Sequence, residues 1–373
     1  MRRRFTRAVL ALAVAVAISG GAAACSKDEP VTGTVTGQLI KVTYLTSFGN
    51  LGRDSFARVA ERKGFFREAG IDVTIQYGTG TDGVIKVGTG RADFAAVDFA
   101  GGTLQVAKAD LDVRAVALIH TKTLAAIMAK KSKNITTPKS LEGQVIADFP
   151  ASVVKLLFPA YAQLAKVDAK KVRFQDTDPK TLISAINAPG IDAISQFVVG
   201  KQTVEAVARS EVTMVPYSDY LTDLPGNALW ANGRLLREDP NLVARFRSAL
   251  MKGLAYTVEH PDEAGQILHD VDKTANPVLA AGELHLMASY VGWQQQDDPQ
   301  QRDAALAKLG YIDQNRIARA IAILQGAGAI GAGLVPERLT MWDLPPTPPP
   351  QFVTPPPTTA SPGPAPGTKG PTP

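Results

Sequence analysis

The sequence predicts an α/β protein of two lobes, each a mixed sheet flanked by helices. Short apolar runs of strand length alternate with runs of helical period from residue 39 to residue 216, the pattern of a parallel-rich sheet. The 373 residues exceed the roughly 250–300 at which a single core stops growing, so two cores are expected. A late strand-like stretch, GNALWAN, then precedes an almost wholly helical block. This places the late strand back beside the first lobe and the helices on its outside, while the order of strands within each sheet stays open. With 45% hydrophobic and 20% charged residues, the bulk of the chain has an ordinary globular composition.

The two ends depart from that composition. Arg2, Arg3, Arg4 and Arg7 precede an apolar run at 8–18 and the small-residue stretch GGAAAC, the three regions of an export signal. The apolar run is too short to cross a hydrocarbon core of about 30 Å as a helix. Cys25 is the only cysteine, so no intrachain disulfide is possible and the core must hold the fold. Its place after Ala22, Ala23 and Ala24 resembles a bacterial lipobox, in which the cysteine is lipidated and anchors the protein to the membrane. Ala22 stands where Leu is usual, and cleavage at a plain signal-peptidase site is the other reading. Residues 1–24 hold four arginines and no acid, so removing them takes the net charge from +5 to +1. That leaves no electrostatic case for a nucleic-acid partner. Residues 25–38 read as anchor and tether, and the Pro-rich stretch 345–373 as an extended, disordered tail.

Between the ends, the stretch 39–100 holds consecutive strand–loop–helix units whose loops are polar and aromatic. The strand LIKVTYL leads into TSFGNLGRDS, which carries Ser47, Phe48 and Asn50. The strand IDVTIQY leads into GTGTDG, which carries Gly80 and Thr81, and DFAAV ends at Asp98 and Phe99. A helix to Lys108 follows, then strands at 113–120 and 124–129, with a crossing between lobes at 121–123 that includes Thr121. The second lobe, 123–219, starts its own series with QVIAD, after which Phe149 and Ser152 open a helix to about Ala165. A strand at 171–175 comes next, and Asp178 and Pro179 predict the start of a helix through LISAINA. The strand IDAI precedes Gln196, a helix follows at 200–209, and VTMVP ends at Tyr217, near the return crossing at 217–221. The return strand carries Trp230 and brings 220–344 back to the lobe begun by 39–122. Its helices are predicted to be a short LLRE, a long run through Leu242, Phe246, Leu250 and Leu254, PDEAGQILHDV, and two more segments to about Gly326.

GFFREAGIDV, GRADFAAVD, LEGQVIAD and, above all, DPNLVARFRSALMKGLAYTVEHPDEA resemble the solute-binding proteins of ABC importers, over roughly residues 39–270. The branch is the one shared with thiamine-pyrimidine-precursor binding and synthesis proteins; alkanesulfonate, taurine and nitrate binders are more distant. The resemblance implies a periplasmic-binding-protein fold of type II that closes on its ligand by hinge motion and docks on a membrane permease. It implies a monomer that binds and does not catalyse. The pyrimidine-synthesising relatives carry a cysteine-rich iron motif, which this chain lacks.

The available chemistry points the same way. His120, His260, His269 and His285 have no cysteine partners and no pair at metal-binding helical spacing, so neither a metal nor a cofactor is expected. The run from Gly78 to Gly83 fits GxGxxG, which raises a dinucleotide site, but it follows the second strand rather than the first and reads better as a tight turn. Ser152 lacks a GxSxG context and reads as a cap or a ligand contact. Phe48, Phe99 and Phe149 stand at strand carboxyl ends, where open α/β sheets place ligands. Phe197, Tyr217 and Trp230 join them or belong to the core. Such rings suit stacking on a heteroaromatic ligand of the hydroxymethylpyrimidine type, with Asn50, Asp98 and Gln196 reading its nitrogens. The alternatives are a small sulfonate or similar anion held by Arg53 and Lys122, and an exported enzyme acting on a pyrimidine-like compound.

Overall fold

A computed structural model describes residues 38–346 of the chain, apart from 151 and 312. The export signal, Cys25 and the tail from residue 347 lie outside the described residues.

The chain enters through β1 (Ile40–Leu45), whose alternation buries Val42 and Tyr44. A short turn of 3-10 helix at Gly52–Asp54 leads to α1 (Phe56–Arg62) and α2 (Phe65–Glu68). Next come β2 (Ile71–Gln76), α3 (Asp82–Gly88), the fully buried β3 (Phe94–Asp98), α4 (Phe99–Ala109) and β4 (Val113–Leu118). The chain then crosses to β5 (Ala125–Lys130), β6 (Val145–Asp148), α5 (Val153–Leu164), β7 (Arg173–Asp176), β8 (Ala193–Phe197), α6 (Lys201–Ala208) and β9 (Val212–Pro216). It returns as β10 (Asn227–Asn232) and continues into α7 (Gly233–Glu238), α8 (Pro240–Glu259), α9 (Pro261–Val271), α10 (Pro277–Val291), α11 (Pro299–Lys308), α12 (Gln314–Gly326) and α13 (Pro336–Leu339).

Two five-stranded mixed sheets result, in the orders β2-β1-β3-β10-β4 and β7-β6-β8-β5-β9. Each has a parallel trio at one side and two antiparallel steps at the other. The shared plan is what lets the two sheets face each other with equivalent loops. In both, the carboxyl ends of the parallel trio carry the loops that meet between the lobes.

Packing explains the long helix. Asp239 caps α8 by accepting the Leu242 amide at 2.9 Å, and Pro240 begins it. Its Phe246 ring stacks on Phe94 at 4.0 Å and on Phe66 at 5.1 Å, which docks the helix on the first sheet. In the second lobe Tyr161 stacks on Tyr217 at 4.0 Å.

Three expectations about elements are corrected. Residues 179–188 form turns and a short 3-10 segment at Ser184–Asn187 instead of an α-helix. Asp178 does accept the Lys180 amide at 2.8 Å, but β-branched Thr181, Ile183 and Ile186 oppose the helix, and Pro189 limits its length. Three helices, not two, lie between α9 and residue 326. The last of them, α12, does not stay on the first lobe: it packs against α5 of the second.

Trp230 is wholly buried, with Gly102 of α4 against its ring. A Cβ at Gly102 would lie 2.4 Å from the indole, which is held by its own bond to the Val97 carbonyl at 3.1 Å. Gly102→Ala is therefore expected to destabilise the protein by about 1–3 kcal/mol, the usual range for overpacking a core, read as a lower midpoint in urea denaturation with an unchanged slope.

Candidate functional site

A cavity of about 200 Å³ opens between the two sheets. The first lobe contributes Ser47, Phe48, Leu51 and Arg53 from the loop after β1, Thr79, Gly80 and Thr81 from the loop after β2, Asp98 from the end of β3, Asn227 from β10 and Glu283 from α10. The second contributes Phe149, Ser152, Val153 and Val154 around the start of α5, Pro179, Leu182 and Ile183, then Ser195, Gln196 and Phe197 from the end of β8, with Gly200 and Thr203 beyond it.

Local chemistry shapes each wall. Ser47 donates its amide and its hydroxyl to the Asp54 carboxylate, both at 2.9 Å, which folds the loop after β1 back on itself. That loop then pairs with the loop after β2: Gly49 donates to the Gly78 carbonyl at 2.9 Å and Gly80 to the Ser47 carbonyl at 3.0 Å. The glycines of GTGTDG are explained by this pairing. A Cβ at Gly78 would lie 1.8 Å from the Thr46 carbonyl oxygen, Gly80 sits at φ +96°, and a Cβ at Gly83 would meet Val97. They bring two loops together, in keeping with the tight-turn reading.

Asp98 caps α4, accepting the Gly101 amide at 3.1 Å, and Ser152 caps α5, accepting the Val154 amide at 3.1 Å. Gln196 uses its own carbonyl oxygen to accept the Phe197 amide at 2.8 Å, which leaves its amide nitrogen as the available donor. Arg53 is 5% exposed, and its guanidinium lies 5.1 Å from the Phe197 ring centre and 3.8 Å from Asp54. Its side chain makes no hydrogen bond among the described residues, and its Nε is buried without a partner. Glu283 accepts the backbone amide of Arg53 at 3.1 Å and the Thr203 hydroxyl at 3.4 Å, so it touches both lobes.

Burial governs the titration of these groups. It pushes the carboxyl of Asp54 up, opposed by Arg53 and Ser47, and that of Glu283 up, opposed mainly by Arg53. Asp98 is raised to about 6 by burial, with only the Gly101 and Ala100 amides acting against it. His120, behind Asn227, is held neutral by burial, at about 3; its Nδ1 accepts the Asn227 amide at 3.3 Å.

Of the residues singled out in the sequence, Ser47, Phe48, Gly80, Thr81, Asp98, Phe149, Ser152 and Gln196 line the cavity, and five do not. Asn50 is drawn to the surface, where its amide donates to Asp272 at 3.0 Å. Phe99 is the first residue of α4; with Asp98 capping that helix, its ring turns into the core and packs over Trp230 at 5.9 Å. Thr121 donates its amide and hydroxyl to the Tyr290 carbonyl and belongs to the crossing. Tyr217 is buried in its stack with Tyr161, and Trp230 lies under Gly102. Phe197 lines the cavity, as does Arg53, whereas Lys122 does not. Glu283, Asn227 and Thr203 went unnoticed. Glu283 lies 230 residues beyond Arg53 in a helix of ordinary pattern, and nothing local marks it.

Among the described residues no group of three or more His, Cys, Asp or Glu side chains is arranged to hold a metal ion, and no helix is long and apolar enough to cross a membrane.

The raised Asp98 sets a measurable pH dependence. Because its carboxyl titrates higher in the folded protein than the ordinary 3.8, its contribution to stability is fully present below that value and is lost as pH rises through about 6. The loss between pH 4 and pH 7 is about 2 kcal/mol, at about 1.4 kcal/mol per tenfold change. Asp98→Asn keeps the cap on Gly101 and abolishes the titration. The variant is expected to gain up to about 2 kcal/mol on the wild type between those two pH values, measured by urea denaturation at each.

Comparison with known proteins agrees with this architecture. The aliphatic sulphonate binding protein SsuA of Escherichia coli superposes with a TM-score of 0.62 at 11% identity, covering 87% of this chain and 99% of that one. The nitrate-binding protein NrtA of Synechocystis superposes with a TM-score of 0.62 at 11% identity, over 82% of this chain and 86% of that one. At such identities these likenesses speak for the fold alone. In sequence, the riboflavin-binding protein RibY of Chloroflexus aurantiacus is 25% identical over 284 residues, 74% of this chain and 77% of the relative. The formylaminopyrimidine-binding protein of Halalkalibacterium halodurans is 22% identical over 223 residues, 60% of this chain and 68% of the relative. The model of the family described as NMT1/THI5 like matches residues 56–264, more than half of the chain. With its two mixed sheets facing across a lined cavity, this chain belongs to the NMT1/THI5-like family.

Proposed function

We propose that this protein is an extracytoplasmic solute-binding protein that takes a small flat heteroaromatic ligand between its lobes and delivers it to the permease of an ABC importer. The observation that carries this reading is the cavity wall: Phe48, Phe149 and Phe197 stand with Ser47, Asp98 and Gln196 around one open cavity contributed by both sheets. Ring faces hold a flat molecule by offset stacking, and the polar groups read its edge. The volume favours a single substituted ring. A cavity of about 150 Å³ holds benzene, so about 200 Å³ suits a pyrimidine and is small for a three-ring flavin. Among the sequence relatives, the formylaminopyrimidine-binding protein is the better guide on this ground.

The working cycle follows from the two crossings. We assign residues 39–122 and 220–344 to one lobe and 123–219 to the other, with closure turning on 121–123 and 217–221, and the closed form as the one the permease accepts. The protein acts as a monomer, held at the membrane by lipidated Cys25 and exported by residues 1–24. It binds without turnover, since no histidine lines the cavity to activate its serines. Ser152 spends its hydroxyl on the cap of α5, and His120 is buried behind Asn227.

The direct test is a thermal-shift panel of aminopyrimidines, sulfonates and vitamins, together with mass spectrometry of small molecules carried through purification. An aminopyrimidine is expected to raise the melting temperature and to be recovered unaltered; stabilisation by sulfonates alone would count against the reading. Phe149→Ala is expected to weaken binding of that aminopyrimidine about tenfold in titration calorimetry, through the loss of stacking and buried area, with the fold unchanged by circular dichroism.

A further inference from the structure

The charges around the cavity are unbalanced. Asp98 and Glu283 line it, while Asp54 stands behind Ser47 and Asp148 behind the second wall; the four are 7%, 4%, 3% and 0% exposed. Against these four carboxylates the cavity sets one cation, Arg53, which is already shared by Asp54 at 3.8 Å and by Glu283. The other charged groups nearby do not restore the balance. His120 is neutral, Lys201 pairs with Glu205, and Lys155, bound to Asp176 at 2.7 Å, offsets Asp148 alone. Asp98 has no cation beside it at all, whereas Asp148 is held by the Phe149 amide at 2.8 Å and by the hydroxyls of Ser195 and Ser152.

Two of the features that would welcome an anion, the N-termini of α4 and α5, are already capped. Two helices of more than two turns point their N-termini at the cavity, and an open helix N-terminus is an anion site. Here Asp98 itself takes the Gly101 amide of α4, and Ser152 takes the Val154 amide of α5. The aromatic walls act in the same sense. Phe48 and Phe149 line the cavity with rings that carry no hydrogen-bond donor, and the face of such a ring carries negative charge that attracts cations. Phe197 already shows the preference by receiving the Arg53 guanidinium over its ring.

We infer that the cleft selects a positively charged flat ligand, a protonated or quaternary nitrogen heterocycle, and discriminates against anions of the sulfonate and nitrate kind. The inference rests on the heteroaromatic reading above and narrows it. The cationic ring would lie against Phe149 and Phe48, with its N–H groups or its formal charge directed to Asp98. Burying that charge next to carboxylates that have lost most of their water gains more than burying a neutral ring, because the unpaired carboxylates are already desolvated in the empty protein. The shared fold of the sulfonate and nitrate binders thus carries a binding site of opposite polarity.

Three probes on one scaffold test this: a hydroxymethyl aminopyrimidine, its ring-N-methylated cation and its carboxylate analogue, with taurine as the sulfonate. Titration calorimetry with the purified protein at neutral pH is expected to rank the cation at least about tenfold tighter than the neutral parent, with the carboxylate and taurine weaker still. Asp98→Asn and Glu283→Gln are each expected to lower the ratio of cation to neutral affinity several-fold. Equal affinity for the cation and the neutral parent, or tighter binding of the carboxylate, would overturn the inference while leaving the heteroaromatic reading intact. Binding of taurine with none of the three pyrimidines would overturn both. The wild-type ranking decides the matter even if a variant fails to fold.

Discussion

The cleft depends on one buried contact across a long separation in sequence. Glu283 in α10 accepts the Arg53 amide and faces the Thr203 hydroxyl. It thereby ties the turn after β1, the late helices and the start of α6 together at the base of the cavity. Gly282, the residue before it, permits the approach: a Cβ there would run into the Gln202 side chain. A carboxylate this buried survives because it is hydrogen-bonded and sits beside a guanidinium. The Arg53 it steadies in turn lies over Phe197 of the opposite lobe. Apart from this contact, the loop carrying Ser47 and Phe48 is held by Asp54 and by its pairing with the loop after β2.

The two crossings are bound to each other as well as to the sheets. Thr123 donates to the Leu224 carbonyl at 2.8 Å, and Thr121 reaches the Tyr290 carbonyl. From α12, Arg316 donates to the carbonyls of Thr121 and Thr222, while Arg319 forms a two-point pair with Asp223 at 2.9 and 3.1 Å. One helix therefore holds both connections, and the same helix packs on α5 of the second lobe. Such bonds suit the proposed closure about these connections, because they restrict bending to a defined line.

The cavity also shows function set against stability. Raised carboxyls at Asp54, Asp98 and Glu283 mean that the empty cleft holds charge at a cost, and a ligand that supplies N–H donors or positive charge relieves it. Such groups concentrate at the mouth of the two sheets and not in the cores, where aromatic stacks and apolar packing dominate.

Much of this was legible in the chain. The alternation of strand and helix, the return of GNALWAN, and the loops at strand carboxyl ends follow from local pattern, because hydrophobic period and turn residues act over a few neighbours. Ser47, Phe48, Asp98, Phe149 and Gln196 stood out for the same reason: each is polar or aromatic where the adjacent strand stops. What local pattern does not contain is the side to which a ring turns. Phe48 and Phe99 both follow strands, yet Phe99 begins a helix capped by Asp98 and swings into the core, whereas Phe48 sits in a paired loop at 40% exposure. Tyr217 and Trp230 were lost to the core by partners, Tyr161 and Gly102, that no nearby residue announces. Glu283 and the reach of α12 across the lobes depend on packing between segments far apart in sequence, so only the tertiary structure decided them. The sequence by itself determined the elements and the loops that bear the site; the assembled fold decided which side chains face the ligand, because burial is a property of neighbours in space.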